Sequence, residues 1–422
     1  MKKINSGLPA IEGGKPVRKK VFPNVGISQG RSLGKEEMIL ASHVIESGNL
    51  FRLGGLRMVE QFEKDYAKLY RVPFAHAVTS GTASLHTAVA ALDLEPGDEI
   101  ITSPITDMGT AIAILTQQCI PVFADVDPKT CNITAKNIEK QITKKTRAII
   151  VVHLFGSPAD MDPILKLARR HNLRVIEDAA QAHLAKYKGR LVGTMGDIGC
   201  FSLQQSKQIT TGDGGILITS NKDLYARAVL FSDKAWPRTQ MGQTRGHLFL
   251  GVNYRMNEIT GAVALAQARK LKGIVRKRRK VAHFLSRKLQ NVDGIILTKI
   301  LPDCRSSWWM FSFYPDKKKI RISPAEFAKA LAAEGIPAGC GYIPMPLFEY
   351  PVIRDRKTFG SSHLPWSLPA ARKNIVYDRN HYPGTMKALT ELIVFSWCEG
   401  VSEKDALDVY NAIKKLVQYY SR

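Results

Sequence analysis

VIEDAAQAHLAKYKGRLVGTMGDIGCFSLQQSKQITTGDGG, residues 175–215, decides the fold of this chain. An apolar run ends in Asp178, a second ends near Ser202, and Lys207 follows in a loop rich in Gly and Thr. Short apolar runs bounded by Gly or Asp are the pattern of strands buried on both faces. Outward from this stretch the pattern repeats. Strands are expected at 99–102, 121–124, 147–153, 174–177, 197–202 and 215–219, with helical periodicity between them at 83–92, 109–118, 161–171 and 223–231. Such alternation predicts an α/β domain with a mostly parallel sheet covered by helices. Open α/β sheets bind ligands at the carboxyl ends of their strands, so Asp178, Gln181, Ser202 and Lys207 are expected to converge on one crevice. A buried carboxylate holds a pyridine nitrogen in its protonated form, and a desolvated lysine forms a Schiff base with an aldehyde. That combination points to pyridoxal phosphate, whose ring serves as an electron sink tuned by an acidic partner.

After Asn253 the pattern changes to one long helix, 257–290, and then a shorter mixture of strands and helices that ends near Tyr420. The expected division is an N-terminal arm over 1–30, a large domain over 31–268 and a smaller α+β C-terminal domain over 269–422. Gly13, Gly14, Pro16, Pro23 and Gly26 break every period in the arm, and an arm of that kind often packs on a partner subunit. With 422 residues, 45% hydrophobic and 23% charged, the chain is neither disordered nor a collagen nor a disulfide-stapled miniprotein.

Sixty-one Lys and Arg against 37 Asp and Glu give a net charge of +24, which favours anionic partners such as phosphorylated metabolites or nucleic acid. The stretch RKLKGIVRKRRK, 269–280, concentrates that charge. A solvated helix face with Leu271, Ile274 and Val275 turned inward accounts for it better than a nucleic-acid site, because no helix-turn-helix, zinc finger or stacking motif accompanies it. Six widely spaced cysteines without a C-x-x-C pair fit neither a zinc site nor a disulfide framework, so no metal is expected and a reducing cytoplasm is the expected home. The N-terminus lacks a signal-peptide apolar core, and no span crosses a membrane.

Eight segments in order resemble the DegT/DnrJ/EryC1/StrS family of sugar and aminocyclitol aminotransferases: IEGGKPVR, TSGTASLHTAVAAL, LEPGDEIITSP, FADVDPKTCNI, VVHLFGSPADMD, EDAAQAH, FSLQQSKQITTGDGG and NYRMNEITGAVALAQ. The resemblance covers nearly the whole chain and implies the fold-type-I, aspartate-aminotransferase-like architecture. It implies Lys207 as the Schiff-base lysine and proton carrier, Asp178 as partner of the pyridine nitrogen and Gln181 as the amide near the phenolic oxygen. Ser80, Gly81 and Thr82 are implied as a phosphate seat at a helix start, where backbone amides and the helix dipole face an anion. Ser202 is implied as a second phosphate contact, and Asn253 as a contact to the neighbouring subunit's phosphate in a homodimer with shared sites.

The implied activity is ping-pong transfer of an amino group from glutamate or glutamine to a keto-sugar or keto-cyclitol, with pyridoxamine phosphate as the intermediate cofactor form. Gln204-Gln205-Ser206 and the IEGGKPVR opening are more similar to the scyllo-inosose branch than to nucleotide-sugar enzymes. The rival readings are a nucleotide-keto-sugar aminotransferase and a pyridoxamine-phosphate-dependent sugar dehydratase. Lys207 argues against the dehydratase, which has histidine in its place.

Two departures from the family pattern stand out. Asp107 occupies the place of a ring-stacking aromatic, so either Met108 supplies an apolar contact or Asp107 takes part in substrate choice. Leu184 stands where glycine commonly follows the histidine. Substrate contacts are expected from Asp107, from Tyr342 in GYIPMPLF, and from His183, for which a satisfied core histidine is the equal alternative.

Overall fold

Alternate residues along the central strands face opposite sides, as the period of two demands: Ile149, Val151 and Val175 pack into one apolar cluster while Ala148, Ile150 and Ile176 pack into another. A computed structural model describes residues 7–238 and 246–422 and arranges these strands in one seven-stranded sheet. Its strands are β1 Phe74–Val78, β2 Glu99–Thr102, β3 Ile120–Phe123, β4 Thr146–Val152, β5 Arg174–Asp178, β6 Ile198–Ser202 and β7 Gly215–Thr219. Their order is β1-β7-β6-β5-β4-β2-β3, parallel from β6 to β3, with β7 antiparallel to both β6 and β1. Every strand and helix expected in this region is present with ends within two residues. β1 was not anticipated, because FAHAV carries a histidine at its centre and is held by pairing with the distant β7.

One register sets up the site. In the parallel pairing of β6 with β5, Cys200 lies opposite Asp178, so the two strands end side by side and present Asp178 and Ser202 at the same sheet edge. A second sheet, all antiparallel, is built from Ile295–Leu297, Met310–Pro315, Ile393–Ser396 and Ala338–Cys340 in that order.

The helix Glu258–Leu289, capped by the Asn257 side chain accepting from the Thr260 amide at 2.8 Å, joins the two sheets. Leu271, Ile274 and Val275 are buried against the large sheet, as their spacing predicts. Val281, Ala282, Leu285 and Leu289 pack on the small one. The packing therefore changes partner between Val275 and Val281. Residues 9–22 lie against the C-terminal half of their own chain: the Ala10 and Val17 amides both donate to Glu334 at 2.8 Å, and Phe22 is buried in the small core.

Arg278 departs from the solvated face expected of the basic run. Its side chain is 0% exposed and pairs with Glu399, 2% exposed, at 2.8 Å. Glu399 also lies 3.9 Å from the buried Arg31 and accepts from the Ser32 amide at 3.1 Å. Removing one partner of a buried pair leaves uncompensated charge, so Glu399→Ala should cost about 3–5 kcal/mol in denaturant unfolding. Glu403→Ala breaks the exposed Lys280–Glu403 pair and should cost less than about 1 kcal/mol in the same assay.

Candidate active site

Asp178 ends β5 as a buried carboxylate. Its Oδ2 accepts from the Thr110 hydroxyl at 2.8 Å and its Oδ1 from the Ala180 amide at 3.1 Å. Burial pushes its pKa upward, opposed by these donors and by the charge of Lys207. Lys207, in the loop beyond β6, is also buried, and its Nζ lies 4.1 Å from the centre of the Trp309 ring. Burial pushes the amine down to about 8, against the opposing pull of Asp178 and Asp107. A guanidinium holds the loop from behind: Arg31 Nη1 donates to the Lys207 carbonyl at 2.7 Å.

Ser80, Gly81 and Thr82, the expected phosphate contacts, lie at the start of the helix Gly81–Ala91, which follows β1 after a two-residue turn. Ser80 caps this helix, its hydroxyl accepting from the Ala83 amide at 3.0 Å, so the Gly81 and Thr82 amides are left without intrahelical partners. A Cβ on Gly81 would lie 2.7 Å from the Cβ of Ser202, so only glycine lets the helix start press onto the end of β6. Beside it starts the helix Met108–Thr116, where a Cβ on Gly109 would lie 2.5 Å from the Thr82 hydroxyl. Asp107 caps this second helix, its Oδ1 accepting from the Gly109 amide at 2.8 Å.

Gln181 lies one turn past Asp178. Its Oε1 accepts from the Phe155 amide at 2.7 Å and its Nε2 donates to the Tyr342 hydroxyl at 3.3 Å. Phe155 adopts a left-handed φ of 58° to offer that amide. Tyr342 stands edge-on to Phe155 and to Trp309, with ring centres 5.5 and 5.7 Å away.

The structure thus brings the expected residues together: Lys207 with Asp178 and Asp107, Ser80, Gly81 and Thr82 with Ser202 and the start of the next helix, and Gln181 with Tyr342. The chain matches the DegT/DnrJ/EryC1/StrS aminotransferase family over residues 31–412. It belongs to that family.

L-glutamine:2-deoxy-scyllo-inosose aminotransferase of Streptomyces kanamyceticus is 31% identical over 99% of this chain and 98% of its own length. GDP-perosamine synthase of Escherichia coli O157:H7 is 37% identical over 60% of this chain and 68% of its own. The solved aminotransferase from Psychrobacter cryohalolentis superposes with a TM-score of 0.80 at 26% identity, covering 92% of this chain and 98% of that one.

One expected substrate contact, His183, lies elsewhere. His183 is fully buried beneath the crevice: Nε2 donates to the Ser202 carbonyl at 2.9 Å, which leaves Nδ1 to accept from the Tyr66 hydroxyl at 2.9 Å. Burial lowers its pKa to about 4, so it is a neutral core histidine and does not line the crevice as a substrate contact. Asn253 is exposed, in a segment beside the end of β1 where the Thr79 amide donates to the Tyr254 carbonyl at 3.0 Å.

Leu184, the second departure, has a left-handed φ of 56°, which explains why an aminotransferase of this family would use glycine there. The leucine is retained in the core, with its amide donating to the Tyr70 hydroxyl at 2.9 Å.

Thr110, Trp309 and Arg31 were missed by the sequence reading. Thr110 carried the faint signal of sitting one turn from Thr106, to whose hydroxyl it is hydrogen-bonded at 3.1 Å.

The amine of Lys207 should titrate near pH 8 in the cofactor-free protein, far below surface lysines. Because Asp178 stabilises the ammonium, Asp178→Asn should move the midpoint lower still. NMR titration of carbon-labelled lysine checks both, and an unchanged midpoint in Asp178→Asn would show that the two charges do not interact.

Proposed function

We propose that this aminotransferase takes an amino group from glutamine or glutamate and places it on the ketone of a cyclitol or sugar, with pyridoxal phosphate as cofactor. The observation that carries the reading is the buried amine of Lys207 beside the buried carboxylate of Asp178, near the start of the helix Gly81–Ala91, whose first amides have no intrahelical partner. These residues fit the cofactor in charge and shape. Asp178 suits a protonated ring nitrogen, and the Gly81 approach to Ser202 leaves a backbone cradle suited to a phosphate. When bound, pyridoxal phosphate supplies an aldehyde and a ring that accepts electrons from a substrate carbon.

The chain's own residues do the rest. Asp178, fixed by Thr110 and Ala180, holds a proton at the ring nitrogen. Ser80, Gly81, Thr82 and Ser202 bind the phosphate, and Gln181 steadies the ring's polar edge. Lys207, with its basicity reduced by burial, would accept a proton from the donor's carbon in the first half-reaction and give one to the acceptor's carbon in the second, so one site serves donor and acceptor in turn. Tyr342 and Asp107, at the rim, contact the acceptor.

Full-length similarity to a scyllo-inosose aminotransferase supports a keto-cyclitol as acceptor and glutamine as donor. The 37% identity to a GDP-perosamine synthase favours, as a second reading, a nucleotide-linked keto-sugar. Turnover of scyllo-inosose with glutamine, but not of nucleotide-linked keto-sugars, supports the first, and the reverse preference supports the second.

A homodimer with shared sites has its own support. Leu250 is 90% exposed, three residues from Asn253, and Phe51, also exposed, lies under Arg255 with the guanidinium 5.6 Å from its ring centre. Apolar side chains left in water beside Asn253 suit a second copy of the chain.

Borohydride reduction of the cofactor-loaded protein should fix the cofactor to Lys207, read by peptide mass. Lys207→Ala should still bind the cofactor yet lose transamination by several orders of magnitude. Labelling of a different residue, or near-normal turnover in Lys207→Ala, would remove Lys207 from the mechanism.

Mixing Lys207→Ala chains with Asn253→Ala chains tests the shared site. Heterodimers carry both defects in one site and none in the other, so part of the activity should return. Heterodimers verified by mass that stay inactive would confine Asn253 to its own chain.

A further inference from the structure

A groove of about 1020 Å³ opens between the helix Met58–Tyr70, the hairpin at 186–191 and the helix Glu258–Leu289. Lys207, Asp178, Gln181 and Ser202 do not line it. Ser220, on its wall, follows the end of β7 and so sits at the sheet edge opposite the one that carries Ser202.

The long helix contributes Arg269, Lys272, Arg276 and Arg279, spaced three, four and three residues apart and so aligned on one face. Lys68 on the shorter helix and Arg71 just past its end line the groove with them, as do Lys186 and Arg190 from the hairpin. Asp65 is the carboxylate in this lining. Arg190 is satisfied by Asp162, and Arg269 by Glu36 at 3.0 Å. Lys68, Arg71, Lys186, Lys272 and Arg276 have no ion pair among the described residues. Arg279 is anchored, donating to the Ser306 carbonyl at 2.7 Å and the Leu184 carbonyl at 2.5 Å, and burial together with the neighbouring charge of Arg305 pushes it down to about 10.

Cations brought together from three elements repel one another, and an anion seated among them removes that repulsion. Lys272 and Arg276 are about 6 Å apart along the helix at 1.5 Å per residue, and with Lys68, Arg71 and Lys186 on other elements they make five unpaired cations, more than a single phosphate neutralises. The walls between the charges are apolar: Leu69, Val72, Leu184, Leu191 and Val275. Tyr70, the aromatic residue on the wall, is buried with its hydroxyl taken by the Leu184 amide, so no ring is offered for base stacking along a nucleic-acid strand. We propose that this groove is an accessory site for a small molecule carrying a chain of two or more phosphates, distinct from the catalytic crevice.

Calorimetry on the full chain tests it, with pyridoxal phosphate present in excess so that the phosphate seat of the crevice is filled. The probes are tripolyphosphate, ATP and a single-stranded oligonucleotide. Tripolyphosphate should bind, and the triple change Arg71→Glu, Lys272→Glu, Arg276→Glu should weaken it by about 100-fold or more. The matched neutral set Arg71→Gln, Lys272→Gln, Arg276→Gln should weaken it by at least about tenfold and serves if the reversed set does not fold. Three reversals elsewhere, Lys140→Glu, Lys144→Glu and Lys166→Glu, change net charge equally and should weaken it less than about threefold. ATP binding tighter than tripolyphosphate identifies a nucleotide as the source of the phosphates, and equal or weaker binding identifies free polyphosphate. No binding of tripolyphosphate, an equal loss in the control set, or tighter binding of the oligonucleotide than of both small probes would each overturn the proposal.

Discussion

Asp178 and Lys207 carry opposite charges out of water into one crevice, and the rest of the site is arranged around that demand. Burial works against both charges, raising the pKa of the carboxyl and lowering that of the amine, while each favours the charge of the other. The hydroxyl of Thr110 and the amide of Ala180 keep the carboxylate supplied with donors. The arrangement is possible because β5 and β6 run parallel in a register that ends them together. A slip of one residue would turn Asp178 toward the opposite face of the sheet.

What the sequence conveyed followed from local periodicity and chain breaks. The run of strands, the long helix and the inward stripe of Leu271, Ile274 and Val275 each depend on neighbours within one or two turns, and each is found in the structure. Asp178, Ser202 and Lys207 were readable because strand ends in open α/β sheets are where ligands bind. Thr110, Trp309 and Arg31 were not, since they meet the site only through long-range packing: Trp309 lies about a hundred residues from the lysine it covers. His183, for which a pocket contact and a satisfied core histidine were equal alternatives, takes the second. Its place in the EDAAQAH motif is beside the site in sequence, but the chain turns after Gln181 and drives the ring into the core, where both nitrogens are already used. Strand β1 was hidden because its pairing partner lies more than a hundred residues away.

The basic stretch at 269–280 is not one feature. On a helix its eight charges point in several directions. Arg278 is enclosed and paired with Glu399, Arg279 is tied to two carbonyls, Lys280 stands in solvent beside Glu403, and Arg269, Lys272 and Arg276 face the groove. A net charge of +24 therefore combines structural cations with cations left open to a ligand, and composition alone could not separate them.

Glu399 joins these threads. It belongs to the segment after the small sheet, yet it reaches Arg278 on the connecting helix and Arg31 at the start of the large domain, and Arg31 grips the backbone that bears Lys207. The crevice is thus assembled by both ends of the polypeptide. For anyone exchanging C-terminal halves between relatives to alter acceptor choice, position 399 cannot travel without positions 31 and 278. A chimaera that separates them would misplace the lysine even if every residue in the crevice were conserved.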